Sequence, residues 1–212
     1  MWKFLRFVAW TLLALGAMLG ILRLTAIRVW QIPIGDPYLE ASLAPSLQGG
    51  DWIVLWRATQ PVEGDLVLCP EPKAPSRPVI ARILGEGSDH IKVQGSVVVV
   101  NRSTFDAESG CDHFTVRDPA SGREVEQGCR RELVAGSTHL RGEISNAETK
   151  PADYEADVPH GRVFLISDNR QFPWDSRDFG AVDRGNCAET VIFRVVSKDG
   201  FFDVAHRLSL IR

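Results

Sequence analysis

Lysine is scarce in this 212-residue chain. Among 24 Lys and Arg residues, only Lys3, Lys73, Lys92, Lys150 and Lys198 are lysines, so a mechanism that needs a lysine base has few candidates. No charge sign dominates either. Against 27 Asp and Glu the net charge is −3, and without a basic field nothing points to nucleic acid. The cysteines Cys69, Cys111, Cys129 and Cys187 form no C-x-x-C, and no His-x-x-x-His occurs. That removes the usual zinc spacings, and no metal or other cofactor is implied. Repeats and low-complexity tracts are absent. With 44% hydrophobic and 24% charged residues, the chain is a folded protein rather than a disordered or fibrous one. Its length suits one sizeable domain, or one domain plus an anchor. Four cysteines in an exported domain would permit two disulfides, with the pairing left open.

Long apolar runs are also missing beyond the N-terminal one. Residues 7–22, FVAWTLLALGAMLGIL, carry no charge and follow Lys3 and Arg6. As a helix they span about 24 Å, slightly short of a hydrocarbon core of ~30 Å. Arg23 can snorkel, which extends the usable stretch to Ile27. A cleaved signal peptide is the alternative, but Leu24-Thr25-Ala26 is a poor small-x-small site. Residues 1–27 are therefore expected to be a retained anchor with the lipid bilayer as partner. Basic residues flank both ends (Lys3 and Arg6, Arg23 and Arg28), so charge leaves the orientation open.

The remainder alternates short β-branched runs with turn residues. The runs are 52–56, 66–68, 79–84, 97–100, 163–166 and 190–196. Gly49-Gly50-Asp51, Glu63-Gly64-Asp65, residues 85–89 and Lys198-Asp199-Gly200 punctuate them. This pattern predicts a mostly β barrel or sandwich. Residues 101–157 are more polar and hold two cysteines. They are expected to form an inserted β subdomain, with Cys111 and Cys129 as candidates to close one loop. The expected core is then 28–100 together with 158–212.

The most specific segment is residues 167–180, SDNRQFPWDSRDFG. Two acid–arginine pairings fall within ten residues and alternate with Phe172, Pro173, Trp174 and Phe179. Such alternation suggests a partly buried network that fixes geometry rather than a solvated charged face. The segment resembles the last signature box of bacterial type I signal peptidases, Gly-Asp-Asn-Arg followed by Asp-Ser-Arg and a glycine. Residues 42–51, SLAPSLQGGD, resemble the family's nucleophile box. Glu63-Gly64-Asp65-Leu66-Val67 resembles the next, and Ala81-Arg82-Ile83-Leu84-Gly85 aligns with its Lys-Arg-Val-Ile-Gly. The boxes stand in the family's order behind an anchor and cover 27–100 and 158–196.

The resemblance implies a signal-peptidase-like β core and a membrane-bound serine endopeptidase that removes signal peptides from exported preproteins. It also implies a body outside the cytoplasmic face of the plasma membrane, where disulfides persist. In that family a serine attacks the scissile carbonyl and a neutral, buried lysine takes its proton. A second serine orients the lysine, and a third joins the oxyanion hole. Carried over, Ser42 takes the nucleophile position. Asp168, Arg170, Asp175, Ser176 and Arg177 take the supporting network. The lysine position, however, is Ala81, its orienting serine is Pro173, and the oxyanion serine is Glu40. Ala and Pro have no polar side-chain atom, and Arg82 stays protonated. An unactivated serine is a poor nucleophile, and loss of the base costs orders of magnitude in rate.

Two readings follow. One is a signal peptidase with a replacement base. The other is a catalytically impaired pseudoprotease that binds exported precursors or a partner protein without cutting. Glu40 could serve as a base if buried near Ser42, and the bland alternative is a solvent-facing loop residue. His160 is the histidine nearest a signature box, and a turn position is the bland alternative. In the family an extended substrate pairs its backbone between the segment before the nucleophile and the lysine strand. Here the resemblance assigns those contacts to Leu39, Glu40 and Ala41 on one side and Val79 and Ile80 on the other.

Overall fold

A computed structural model describes residues 2–109, 111–145 and 150–211. Helix α1 (Trp2–Thr25) opens the chain, and strand β1 (Ile27–Gln31) follows directly. The short helix α2 (Pro37–Leu43) precedes β2 (Trp52–Trp56), β3 (Leu66–Pro70) and β4 (Pro78–Glu86). Then come β5 (His90–Gln94), β6 (Val97–Val100), β7 (Ser103–Thr104) and β8 (Ala107–Ser109). The middle of the chain holds β9 (Phe114–Arg117), β10 (Glu124–Gln127), β11 (Cys129–Val134) and β12 (Ser137–Gly142). The last elements are β13 (Tyr154–Asp157), β14 (Arg162–Ile166), α3 (Ser176–Phe179), β15 (Val182–Asp183), β16 (Glu189–Val196) and β17 (Ser209–Leu210). The protein is mostly β, as its alternating pattern predicts.

Helix α1 is exposed along its length, and Trp2–Arg23 is long and apolar enough to cross a membrane. A helix of that length and composition suits a hydrocarbon core. The helix inside the expected anchor, 1–27, ends at Thr25, and Ile27 already pairs with Trp56 in the sheet.

The main sheet runs β1-β2-β16-β3-β4-β14-β15 with β17 on the flank of β16. Every pairing in it is antiparallel. Strand β4 is its spine because both its faces are buried. Val79, Ala81 and Ile83 enter one cluster with Val67, Val163, Leu165 and Phe179. Ile80 points the other way, to Leu39, Leu43, Ile53 and Leu55. Period-two alternation with apolar residues on both faces is what a central strand requires.

Three smaller sheets form the second β region: β10-β9, β12-β11-β8 and β13-β5-β6-β7. The last pairs Ile91 with Ala156 and Val100. Residues 90–100, assigned from sequence to the core, thus share a sheet with strands of the segment 101–157. Disulfides join Cys69 to Cys187 within the main sheet and Cys111 to Cys129 in the second region.

Candidate active site

Helix α2 carries Ser42, the residue expected at the nucleophile position. Asp36 caps it by accepting from the N–H groups of Tyr38 and Leu39 (3.1 and 3.2 Å), and Pro37 opens the first turn. Both are strong helix-start residues. The helix packs Leu39 and Leu43 against Ile80 of β4. Leu39, Glu40 and Ala41 are helical backbone, with the Glu40 N–H donating to the Asp36 carbonyl at 3.0 Å. Leu39 and Ala41 are buried. The capping pair Asp36-Pro37 was the sequence signal for this helix.

Ser42 lies in the last turn and is buried. Its Oγ donates to the Leu39 carbonyl at 2.9 Å, and no other side-chain hydrogen bond reaches it among the described residues. Its own carbonyl accepts from the Asn169 N–H at 3.1 Å. A carbonyl accepts this hydrogen bond but is not a base that removes the proton.

Ala81, at the lysine position, is fully buried among the apolar residues of the first cluster, against which Trp174 also packs. Pro173 is half-buried. Trp174 stacks at a tilt on Tyr38 (5.4 Å between centroids) and edge-on to Phe179 (6.2 Å). Arg77 covers its other side at 4.0 Å and is held by a bidentate pair with Asp36 (2.7 and 2.8 Å). The surroundings of Ala81 are filled with hydrocarbon and aromatic rings.

Glu40 is half-buried, and its carboxylate turns away from Ser42 to accept the Gly35 N–H at 2.6 Å. Residues two apart on a helix do not face each other. The side chain lies over Gly49, where a Cβ would stand 2.8 Å from the Glu40 Cγ. Glu40 therefore ties down the loop before α2 and offers no donor to an oxyanion. His160 lies in an exposed turn beside the Ser88 hydroxyl (3.3 Å from Nδ1).

The signature network is buried, but its partners differ from those the sequence spacing suggests. Asp168 pairs with Arg82 of β4 through Nε and Nη2 (2.8 and 3.2 Å), and the Ser46 hydroxyl also donates to it. Arg170 turns instead to Glu132 on β11 and to the Ser167 carbonyl (2.9 Å). Asp175 does hold Arg177, through Nε and Nη2 at 2.9 and 2.7 Å, while also accepting the Ser167 N–H at 2.8 Å. The Ser176 hydroxyl accepts the Leu165 N–H at 2.9 Å, fixing the turn into α3 against β14. Burial raises the Asp168 and Asp175 carboxyls, but Arg82 and Arg177 respectively override it and hold both below the usual range.

Three members of this network were not singled out in the sequence. Glu132 lies 3.0 Å from Arg141 Nε and 3.3 Å from His139 Nε2. The ladder between β11 and β12 sets Glu132 opposite His139, a pairing visible only once register is known. Burial raises the Glu132 carboxyl, yet Arg170 and Arg141 bring it down to about 2. No cluster of His, Cys, Asp or Glu suited to a metal occurs among the described residues.

The boxes therefore converge in space: Ser42 against Asn169, Arg82 on Asp168, and Ala81 beside the 172–179 loop. Comparison with known proteins agrees. The model for signal peptidase, peptidase S26, matches residues 4–196. The chain belongs to this family. Signal peptidase I of Aquifex aeolicus (strain VF5) is 27% identical over 178 residues, covering 69% of this chain and 69% of that protein. The S26 member described here buries the Asp168–Arg82 and Asp175–Arg177 pairs, while the positions that the resemblance assigned to proton transfer hold Ala81 and Pro173.

Proposed function

We propose that this S26 family member is a membrane-anchored pseudoprotease that binds exported preproteins, or a partner displaying a similar extended segment, without Ser–Lys cleavage. The carrying observation is the Ser42 hydroxyl, donated to the Leu39 carbonyl and, among the described residues, without a titratable partner. A serine in that state lacks the base on which nucleophilic catalysis depends. Strand β4 still offers a docking edge. Strand β14 pairs with it only from Arg82 to Glu86, so among the described residues Val79 and Ile80 have β3 on one side and no strand on the other. Backbone pairing at that edge needs no catalytic side chain. Two disulfides accord with a body on the oxidising side of the plasma membrane.

The competing reading, an active signal peptidase, draws on the retained Ser42 and the intact Asp168–Arg82 and Asp175–Arg177 pairs. Photo-crosslinking of a model preprotein, with the probe next to its small-residue site, separates binding from chemistry. Crosslinks to β4 of equal yield in the unmodified protein and Ser42→Ala are expected. Their absence in both would overturn the binding role.

A further inference from the structure

The β4 edge proposed for docking is shut in this structure. Val79 and Ile80 are each 1% exposed, although among the described residues no strand lies beside them on the side away from β3. The Ile83 N–H and C=O bond to Asp65 and Gly64, ahead of β3. By the alternation of an antiparallel ladder, Ile80 then turns its own N–H and C=O away from β3. Neither group has a hydrogen-bonding partner among the described residues. Buried backbone groups are almost always paired, and an added strand would pair these.

The groups that shut the edge are tied together by one side chain. Ile80 packs with Leu39 and Leu43 of α2, and Trp174 packs on the cluster that holds Val79. Tyr38 of α2 meets Trp174 at 5.4 Å. Arg77, just before β4, reaches both rings: its guanidinium lies 4.0 Å from the centre of Trp174 and 5.7 Å from that of Tyr38. Two hydrogen bonds of 2.7 and 2.8 Å hold it on Asp36, ahead of α2. Glu71 stands 3.6 Å away, at the end of β3.

This pair differs from the buried network. The Arg77 and Asp36 side chains are 26% and 25% exposed, against 2% for both partners of Arg82–Asp168. Solvent and salt compete for a partly exposed pair, and its contribution is small enough for it to break reversibly. Arg77 holds the Asp36 carboxyl below its usual range, so the pair is ionised at neutral pH.

We infer that Arg77–Asp36 is a latch on the β4 edge. Closed, it keeps α2 and Trp174 over Val79 and Ile80; released, it admits an extended segment. The inference rests on the reading of β4 as the docking strand and adds that an ion pair controls entry to it.

Amide hydrogen exchange of the full chain in bilayer nanodiscs tests the latch without any ligand. Asp36→Asn removes the charge and keeps a capping side chain, and Arg77→Gln removes the guanidinium. Each is expected to speed exchange in residues 79–82 by about two- to fivefold, the size of a partly exposed ion pair, with 52–56 and 129–134 unchanged. High salt is expected to speed the same exchange in the unmodified protein and to add nothing in Arg77→Gln. Photo-crosslinking of a subsaturating model preprotein to β4 is expected to rise by a similar factor in both variants. Unchanged exchange at 79–82, a salt response that persists in Arg77→Gln, or faster exchange at 52–56 and 129–134 as well would each overturn the latch. Faster exchange at 79–82 with unchanged crosslink yield would overturn its control of entry. Faster exchange there with no crosslink in any of the proteins would uphold the latch and overturn the docking role of β4.

Discussion

Arg82 and Asp168 meet side on, 86 residues apart in sequence, with both partners almost wholly buried and two hydrogen bonds between them. This pair locks the signature loop to β4 and turns Arg82 away from the face that Ala81 occupies. Removing one partner strands the other charge in a dry interior, at about 3–5 kcal/mol. Asp168→Ala is therefore expected to lower the unfolding free energy, measured by urea titration, by that order. Arg82→Met with Asp168→Leu, which removes both charges, is expected to cost less. Equal losses in the single and double variants would show that the pair does not couple.

Acid should unlock the second region first. Glu132 is held at about 2 in the folded protein, against an ordinary 4.5. A carboxyl with a depressed folded value contributes stability above its unfolded value, and that contribution is lost as pH falls from 4.5 to 2. Its size is roughly 3 kcal/mol. Asp168 and Asp175, also held low, add in the same direction. Unfolding free energy is expected to fall across this window, and Glu132→Gln to flatten the slope while lowering stability at neutral pH. A pH-independent difference between the two proteins would contradict the assignment.

The Cys69–Cys187 bridge closes a loop of 118 residues between β3 and the turn before β16. Cross-links of long loops contribute about 2–5 kcal/mol. The pair Cys69→Ala and Cys187→Ala is expected to lower the melting temperature by more than Cys111→Ala with Cys129→Ala, whose loop spans 18 residues. The reverse order would show that strand pairing already restrains β3 and β16.

Ala81→Lys places an ammonium among Val67, Val79, Leu165 and Phe179 with no carboxylate in that cluster. Burial is expected to lower the lysine's proton affinity and to destabilise the fold by a few kcal/mol at neutral pH. With Pro173 in place no hydroxyl orients the new amine. Adding Pro173→Ser is expected to be necessary for measurable Ser42-dependent cleavage. Full activity in Ala81→Lys alone would show that orientation comes from elsewhere.

Much of this was legible in the sequence. The runs 52–56 and 97–100 are strands with those bounds, because β-branched residues between glycine turns leave little alternative. The long apolar N-terminal helix and the family boxes were also plain. Helix α2 was not read from the sequence although Asp36-Pro37 announces it, because seven residues are too few for helical periodicity to register. Arg170 pairing with Glu132 rather than Asp168, and Glu132 facing His139, depend on strand register and loop path. No local pattern encodes those.

The central claim is that Ser42 is not activated. Cleavage of a model preprotein by the purified full-length protein in detergent, measured beside Ser42→Ala, tests it most directly. The account predicts no cleavage above the Ser42→Ala background. Cleavage that disappears in Ser42→Ala would contradict it and reveal a base operating on that hydroxyl.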